Sequence, residues 1–278
     1  MPELPEVETI VRGLGRHLPG RSIRNVHLFR ESVIARPDPR RFAALLAGRR
    51  IEQVTRRGKY ILMRLSGGLV LAAHLRMTGQ LVYQDESSAL PRHTHAVLEL
   101  DRGILRFTDP RRFGRLWLVP EDELDKVSGL AGLGMEPLDG AFAEPAFRDR
   151  LRGRRRGIKS LLLDQRFIAG LGNIYTDEAL YRACIHPARA AGDLSARETR
   201  ALYRAIKDVL AEGINHGGTS VRDYVDASGA EGRFQARLLV YGRKDRPCPR
   251  CGRPIARTVC AGRGTYYCPR CQEEEKER

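Results

Sequence analysis

The sequence predicts an α+β chain: an N-terminal β-sandwich under a covering helix, a C-terminal helical domain, and a small β-hairpin stapled by four cysteines. Three observations carry this. Between residues 20 and 120, apolar and β-branched residues recur with a period near two, the period of strands. After residue 150 the period lengthens to that of helices. Near the end stand Cys248-Pro-Arg-Cys251 and Cys268-Pro-Arg-Cys271, two C-x₂-C turns separated by 16 residues.

The covering helix comes first. Val7, Ile10, Val11 and Leu14 line one face, and Glu3, Glu6 and Glu8 supply the acidic first turn that a helix N-terminus favours. Strands follow over 23–26, 51–54, 60–65, 69–75, 96–100, 104–107 and 116–119. Gly67-Gly68 and Asp101-Arg102-Gly103 read as hairpin turns. This sheet-rich domain spans 1–130. A stretch rich in Gly, Pro and small residues makes 131–150 a linker. The helical domain spans 151–240, with helices expected around 144–152 at its edge and over 159–163, 173–183 and 195–213. Ser195 and Glu198 form a capping-box pattern at the start of the last. Residues 217–235 are polar and glycine-containing with few core residues, the composition of a mobile loop. The cysteine hairpin occupies 241–278.

Charge and cysteine content narrow the partners. The 278 residues carry a formal net charge of +15, which points to a polyanion, above all nucleic acid. No apolar run approaches the ~20 residues of a membrane span, and no basic-then-apolar leader stands at the start, so a cytosolic protein with no membrane partner is expected. In that compartment two disulfides are disfavoured. Cys248, Cys251, Cys268 and Cys271 then read as ligands of one structural Zn²⁺, with four thiolates and no open position. Arg257, Arg263 and Arg270 make the hairpin basic, and the Gly262-Arg263-Gly264 tip suits contact with a phosphate backbone. Cys184 reads as a buried small hydrophobe. Cys260 lies between the metal pairs without a pairing logic.

The chemistry concentrates at the start of the chain. If Met1 is removed, Pro2 becomes a terminal secondary amine, and an α-amine titrates near about 7.7–8.0 against about 10.4 for lysine. A useful fraction is neutral and nucleophilic at neutral pH. Attack on a sugar C1′ would give an iminium, an electron sink, with Glu3 and Glu6 beside it to move protons. Taken alone, the octapeptide reads first as an ordinary acidic helix N-terminus. Several turns also carry basic or polar groups: Arg57-Gly58-Lys59, His74 to Gly79, His93-Thr94-His95 and Asp109 to Gly114. Met77 and Phe113 are apolar residues beside arginines in such turns. Wedges for a base stack and local core residues are both open readings. Glycines in Gly170-Leu-Gly172 let backbone approach a phosphate before Asn173 at a helix start.

Taken together, Met1 to Thr9, Arg57 to Tyr60, His74 to Gly79, Asp109 to Gly114, Gly170 to Tyr175 and the hairpin from Gly262 to Cys268 resemble formamidopyrimidine-DNA glycosylase, the bacterial repair family for oxidised purines. The motifs span the chain. The resemblance implies a helix–two-turn–helix in the helical domain and a monomer acting on double-stranded DNA with oxidised bases or abasic sites, in the cytoplasm on the bacterial nucleoid. It implies base release by a Pro2 imine, followed by β,δ-elimination. Pro2 is the implied nucleophile, Glu3 the general acid and Glu6 an accessory carboxylate. Lys59 assists elimination and Arg263 grips the lesion phosphate. Met77, Arg111 and Phe113 fill the gap left by the extruded base. Asn173, with Lys159, pins phosphate, and His74, His93, Arg154 and Tyr241 are implied DNA contacts. The loop 217–237 caps the lesion, with Ser220 as a base contact. An endonuclease VIII-type enzyme for oxidised pyrimidines, a non-catalytic damage binder and a ribosomal zinc protein are the competing readings. The block from Asp109 to Gly114 and the long loop favour the purine enzyme. Pro2, Glu3 and Lys59 argue against the binder, and the N-terminus against the ribosomal protein.

Overall fold

Hydrophobic patterning resolves into two compact units in the computed structural model, which describes residues 1–85, 89–221 and 223–274. In chain order the helices are α1 (Leu4–His17), α2 (Pro39–Leu46), α3 (Glu144–Leu151), α4 (Ile158–Leu162), α5 (Asn173–Arg182) and α6 (Ala196–Asn215). The strands are β1 (Ile23–Leu28), β2 (Ile34–Arg36), β3 (Ile51–Arg57), β4 (Tyr60–Leu65), β5 (Leu69–His74), β6 (Gln80–Gln84), β7 (Thr94–Leu100), β8 (Ile104–Thr108), β9 (Arg115–Pro120), β10 (Ala256–Cys260) and β11 (Arg263–Tyr267).

The first unit comprises 1–132 and 214–235. It holds a four-stranded sheet, order β1-β7-β8-β6, and a five-stranded sheet, order β2-β9-β5-β4-β3. One apolar cluster joins both sheets to α1 through Val7, Ile10, Leu14, Ile61, Leu71, Leu98 and Phe107, so the expected sandwich under a covering helix is present. The apolar stripe on α1 drives this burial, worth roughly 1.5–3 kcal/mol for each fully buried large side chain. Pro5 fits the first helical turn because its missing N–H has no partner there in any helix. Three elements escape the sequence reading. β2 and β6 are short, and α2 is opened by Asp38, whose Oδ1 accepts the Arg41 N–H at 3.0 Å.

The second unit comprises 133–213 and 236–278, the last four residues lying outside the described ones. The capping box at α6 forms as patterned: Glu198 N–H donates to Ser195 Oγ (3.2 Å), and Ser195 N–H to Glu198 Oε2 (2.8 Å). β10 and β11 pair antiparallel with Cys260 opposite Arg263. The turn between them is therefore Ala261-Gly262, both at positive φ (53° and 68°). The expected tip over 262–264 is thus displaced by one residue, and Arg263 is the first residue of β11.

Segment 217–235 departs from its reading as a polar stretch with few core residues. Tyr224, Ala227 and Phe234 are all buried, the first two within the sandwich core, and Tyr83 N–H donates to Ala227 O at 2.9 Å. Alternation with glycines and charges hides these three anchors from a periodicity search.

Candidate functional site

Pro2 is buried at the head of α1, and Glu3 (3% exposed) and Glu6 (1%) are buried with it. Glu6 lies three residues into the helix and accepts the Glu3 N–H through Oε2 at 2.7 Å, the reverse half of a capping box. Its other oxygen, Oε1, accepts the Thr219 N–H at 2.7 Å. Burial pushes the Met1 amine, next to Pro2, below its ordinary value of 8.0. Lys59 pushes the same way, and the Glu3 and Glu6 carboxylates oppose it. A lowered amine keeps more of its lone pair available at neutral pH.

Lys59 sits with Gly58 (φ 54°) in the two-residue turn joining β3 to β4 and is 95% buried. Its charge also reaches His74, at the end of β5. Burial first, then Arg76 and Lys59, bring the His74 imidazole down to about 3, so it is neutral at pH 7. Arg76 N–H donates to His74 Nδ1 at 3.0 Å, which leaves the proton on Nε2. The sequence motifs at 1–9, 57–60 and 74–79 therefore meet in one electrostatic neighbourhood, and His74 enters it as a neutral donor.

A second group forms where the β5–β6 and β8–β9 connections meet. Met77 (37% exposed) and Phe113 (50%) stand out from the surface, so the local-core reading of these two is set aside. The Arg111 guanidinium lies 5.0 Å over the Phe113 ring. Beneath them is Asp109, fully buried, the first residue of the block from Asp109 to Gly114 and one with no role assigned from the sequence. Its Oδ1 accepts from Thr78 Oγ1 and, at 3.2 Å, from Arg111 N–H; its Oδ2 accepts the Gly114 N–H at 2.7 Å. Its backbone is held too: Asp109 N–H donates to His93 O, and His95 Nε2 lies 2.7 Å from Asp109 O. One carboxylate thus fixes Met77, Arg111 and Phe113 relative to one another. Asp109→Ala strands buried donors and is expected to lower stability by about 2–4 kcal/mol, read from the urea unfolding midpoint. His93 itself is half-buried at φ 68°.

In the second unit Arg263 is exposed and shares an open cavity of about 490 Å³ with Arg156 and Arg166. Asn173 opens α5 and donates its amide to Gly264 O at 2.8 Å, tying that helix to the strand beside Arg263. Lys159 corrects the sequence reading. It is fully buried, its Nζ 2.6 Å from Asp177 Oδ1 and 2.8 Å from Thr265 Oγ1, so it braces the hairpin and touches no solvent-borne phosphate. Burial drives the Asp177 carboxyl up, to about 7, against the pull of Lys159. Next to it Glu178, also fully buried, accepts the backbone N–H groups of Leu239, Val240 and Tyr241 at 2.9–3.0 Å. Tyr241 is positioned by that clasp and packs edge-on against Tyr266. Arg154 is exposed. Neither Asp177 nor Glu178 was legible beforehand, since acidic residues inside a helix usually face water.

Two further expectations change. Ser220 uses its hydroxyl within its own segment, donating to Tyr224 O (2.8 Å) and accepting the Gly232 N–H (2.9 Å). Cys184 is exposed rather than buried. It takes positive φ just past α5, and Arg250 donates to its sulfur.

The four hairpin cysteines form a metal centre. Their sulfurs all lie within 4.8 Å of one another, and Cys248 and Cys268 are buried. The Arg250 and Cys271 N–H groups donate to Cys248 and Cys268 sulfurs at 3.4 Å, which favours thiolates. Burial of Cys248 is overridden by the Tyr181 hydroxyl and the Arg250 and Cys251 N–H groups, so its thiol falls to about 6. Four soft ligands in a closed tetrahedral cluster fit one structural Zn²⁺.

The chain matches three family models: the formamidopyrimidine-DNA glycosylase N-terminal domain over 1–116, its H2TH domain over 133–225, and the zinc finger found in FPG and IleRS over 246–273. It is 52% identical to a formamidopyrimidine-DNA glycosylase of Desulforamulus reducens, across 98% of this chain and 99% of that one. The crystal structure of Fpg from Thermus thermophilus is 47% identical and superposes with a TM-score of 0.88, covering 99% of this chain and all of the other. A Lactococcus lactis Fpg bound to DNA containing an abasic site is 34% identical, with a TM-score of 0.91 over 98% of this chain and all of that one.

Proposed function

Because the chain belongs to the formamidopyrimidine-DNA glycosylase family, we propose a division of labour among its residues for the reaction that the family performs. The protein is a DNA glycosylase and abasic-site lyase of base-excision repair, acting on oxidised purines and abasic sites. Pro2, freed by removal of Met1, attacks C1′ of the damaged nucleotide. The C1′–base bond breaks and the base leaves with the proton that the Pro2 nitrogen gives up; Glu3 protonates the sugar ring oxygen as the C1′–O4′ bond opens, which leaves the proline nitrogen as an iminium. The iminium withdraws electrons from C2′: loss of the C2′ proton expels the 3′ phosphate, and loss of the C4′ proton from the conjugated iminium that results expels the 5′ phosphate, with Lys59 assisting. The single observation that carries this reading is the burial of Pro2, Glu3 and Glu6 at the head of α1, with the charge of buried Lys59 reaching the α-amine beside them.

DNA supplies the rest. Extruding a base costs a few kcal/mol, and insertion of Met77, Arg111 and Phe113 into the stack offsets it. Arg263, the N-terminal N–H groups of α5 at Asn173, His74, His93, Arg154 and Tyr241 hold the backbone around the lesion. Lys159 acts through the hairpin it braces, and Ser220 through the segment it closes. Double-stranded DNA with oxidised or abasic sites is the partner, one protein chain serves each lesion, and the bacterial cytoplasm is the compartment. No helix among the described residues is long and apolar enough to cross a membrane.

Two measurements test this. Excision of 8-oxoguanine opposite cytosine is expected to outpace excision of thymine glycol; the reverse order would give the chain the pyrimidine specificity instead. A Lactococcus Fpg has been crystallised with DNA containing an oxidised pyrimidine, so both substrates belong in the comparison. Affinity is expected to fall steeply with salt, by about 10³-fold or more between 50 and 200 mM if six or more phosphates are neutralised. A flat dependence would remove the phosphate-clamp part of the proposal.

A further inference from the structure

We propose that Glu6 is a positioning residue through which segment 217–235 sets the placement of the N-terminal amine. The inference rests on the reading of Pro2 as nucleophile and deepens it.

The geometry has three parts. The first is the shared carboxylate: Oε2 takes the Glu3 N–H and Oε1 takes the Thr219 N–H, both at 2.7 Å. The Glu3 N–H belongs to the peptide unit joined directly to Pro2 Cα. Once that plane is clamped, a single backbone torsion separates it from the Pro2 nitrogen, whose ring is rigid. The second part is close approach. Gly218 is at φ +83°, and a Cβ there would stand 2.9 Å from Glu6 Cγ and 3.0 Å from Oε1. At the other end of the segment, a Cβ on Gly232 would stand 2.2 Å from Gly218 O. Two glycines therefore press the base of the loop together and against the carboxylate. The third part is anchorage. Tyr224 is buried in the sandwich core and donates to Gly217 O at 3.0 Å and to Glu6 O at 3.4 Å. The segment's hold on Glu6 is thus fastened to the same core as α1.

A buried carboxylate bound by two amides has little freedom to relax if one of them moves. The consequence is specific. A loop that only grips a damaged base is irrelevant to a site whose base is already gone. A loop acting through Glu6 matters there as well, because the amine must still be aimed at C1′.

The experiment uses the full chain with Gly218→Ala, Glu6→Gln and the double variant. Single-turnover borohydride trapping is run on a duplex with a pre-formed abasic site. Affinity is measured in parallel for a duplex carrying tetrahydrofuran, which binds but cannot react, and melting is recorded for each variant. Gly218→Ala is expected to slow trapping by about tenfold to a hundredfold, the scale of a misplacement near 1 Å, with affinity for the tetrahydrofuran duplex unchanged. In the Glu6→Gln background it should add little, because both act through one group. Trapping at the parental rate in Gly218→Ala, or slowing by the same factor in the Glu6→Gln background as in the parent, overturns the inference. If Gly218→Ala melts early, Glu6→Asp is the substitute: it keeps the charge but withdraws it from both amides, and parental trapping there has the same force against the proposal. A parent chain that yields no trapped imine overturns the Pro2 reading and this one together. A parent that traps, beside a variant that equals it, overturns this one alone.

Discussion

Chains carrying any residue ahead of Pro2 are expected to lose the trapped imine and to release 8-oxoguanine at least about 10³-fold more slowly, while still binding the damaged duplex. With a preceding residue the proline nitrogen is a tertiary amide, its lone pair delocalised into the carbonyl, and water must replace a tethered nucleophile. Pro2→Gly restores an amine but not the rigid ring, and is expected to fall between the two. Mass spectrometry of the cross-linked peptide, with duplex affinity as the control, makes the comparison. An undiminished rate in the extended chain would move the nucleophile elsewhere. The pH profile of imine formation adds a sign. Burial lowers the Met1 amine below its ordinary value of 8.0, and the amine freed at Pro2, a buried residue, is expected to shift the same way. Trapping should therefore rise with pH and level off below that value, because the neutral form is already the major one there.

Cys248→Ser should remove the metal and with it the hairpin. Among the described residues, the apolar cluster shared by the hairpin and its support has five buried members, Tyr181, Val240, Ile255, Cys248 and Cys268, with Leu239, Cys251, Tyr266 and Cys271 partly buried against them. Metal binding worth on the order of 10 kcal/mol supplies what that cluster lacks. DNA affinity is expected to drop about 10–100-fold as Arg263 loses its platform, the equivalent of one or two charge-assisted contacts. Metal content by mass spectrometry and binding by fluorescence anisotropy report the two losses. The first unit, whose own core contains no cysteine ligand, should keep its strand signature in circular dichroism. One zinc per chain retained in the variant would contradict the four-thiolate assignment.

Much of this was legible because it is local. C-x₂-C spacing, the apolar runs of β4 and β5, and the Ser195–Glu198 cap each depend on residues a few positions apart. The site's supporting groups are not local. Asp109 serves Thr78, 31 positions away, and Glu6 reaches Thr219 across 213. Lys159 belongs with them: the resemblance implied a helper to Asn173 at the phosphate, and only the fold shows Asp177 and Thr265 closing over it. The loop anchors Tyr224 and Phe234 were lost because single aromatic residues among glycines carry no period.

The two-residue turn at Ala261-Gly262 gives the hairpin a parity. Arg263 follows that turn directly, opposite Cys260, and successive strand residues face opposite ways. Sequence drift at the tip is therefore tolerable in kind but not in number. An exchange of one turn residue for another able to hold positive φ leaves the arginine pointing where it did. A single inserted residue either reverses the strand's two faces or must be absorbed as a bulge. Length, more than composition, is the inheritance that keeps this finger aimed.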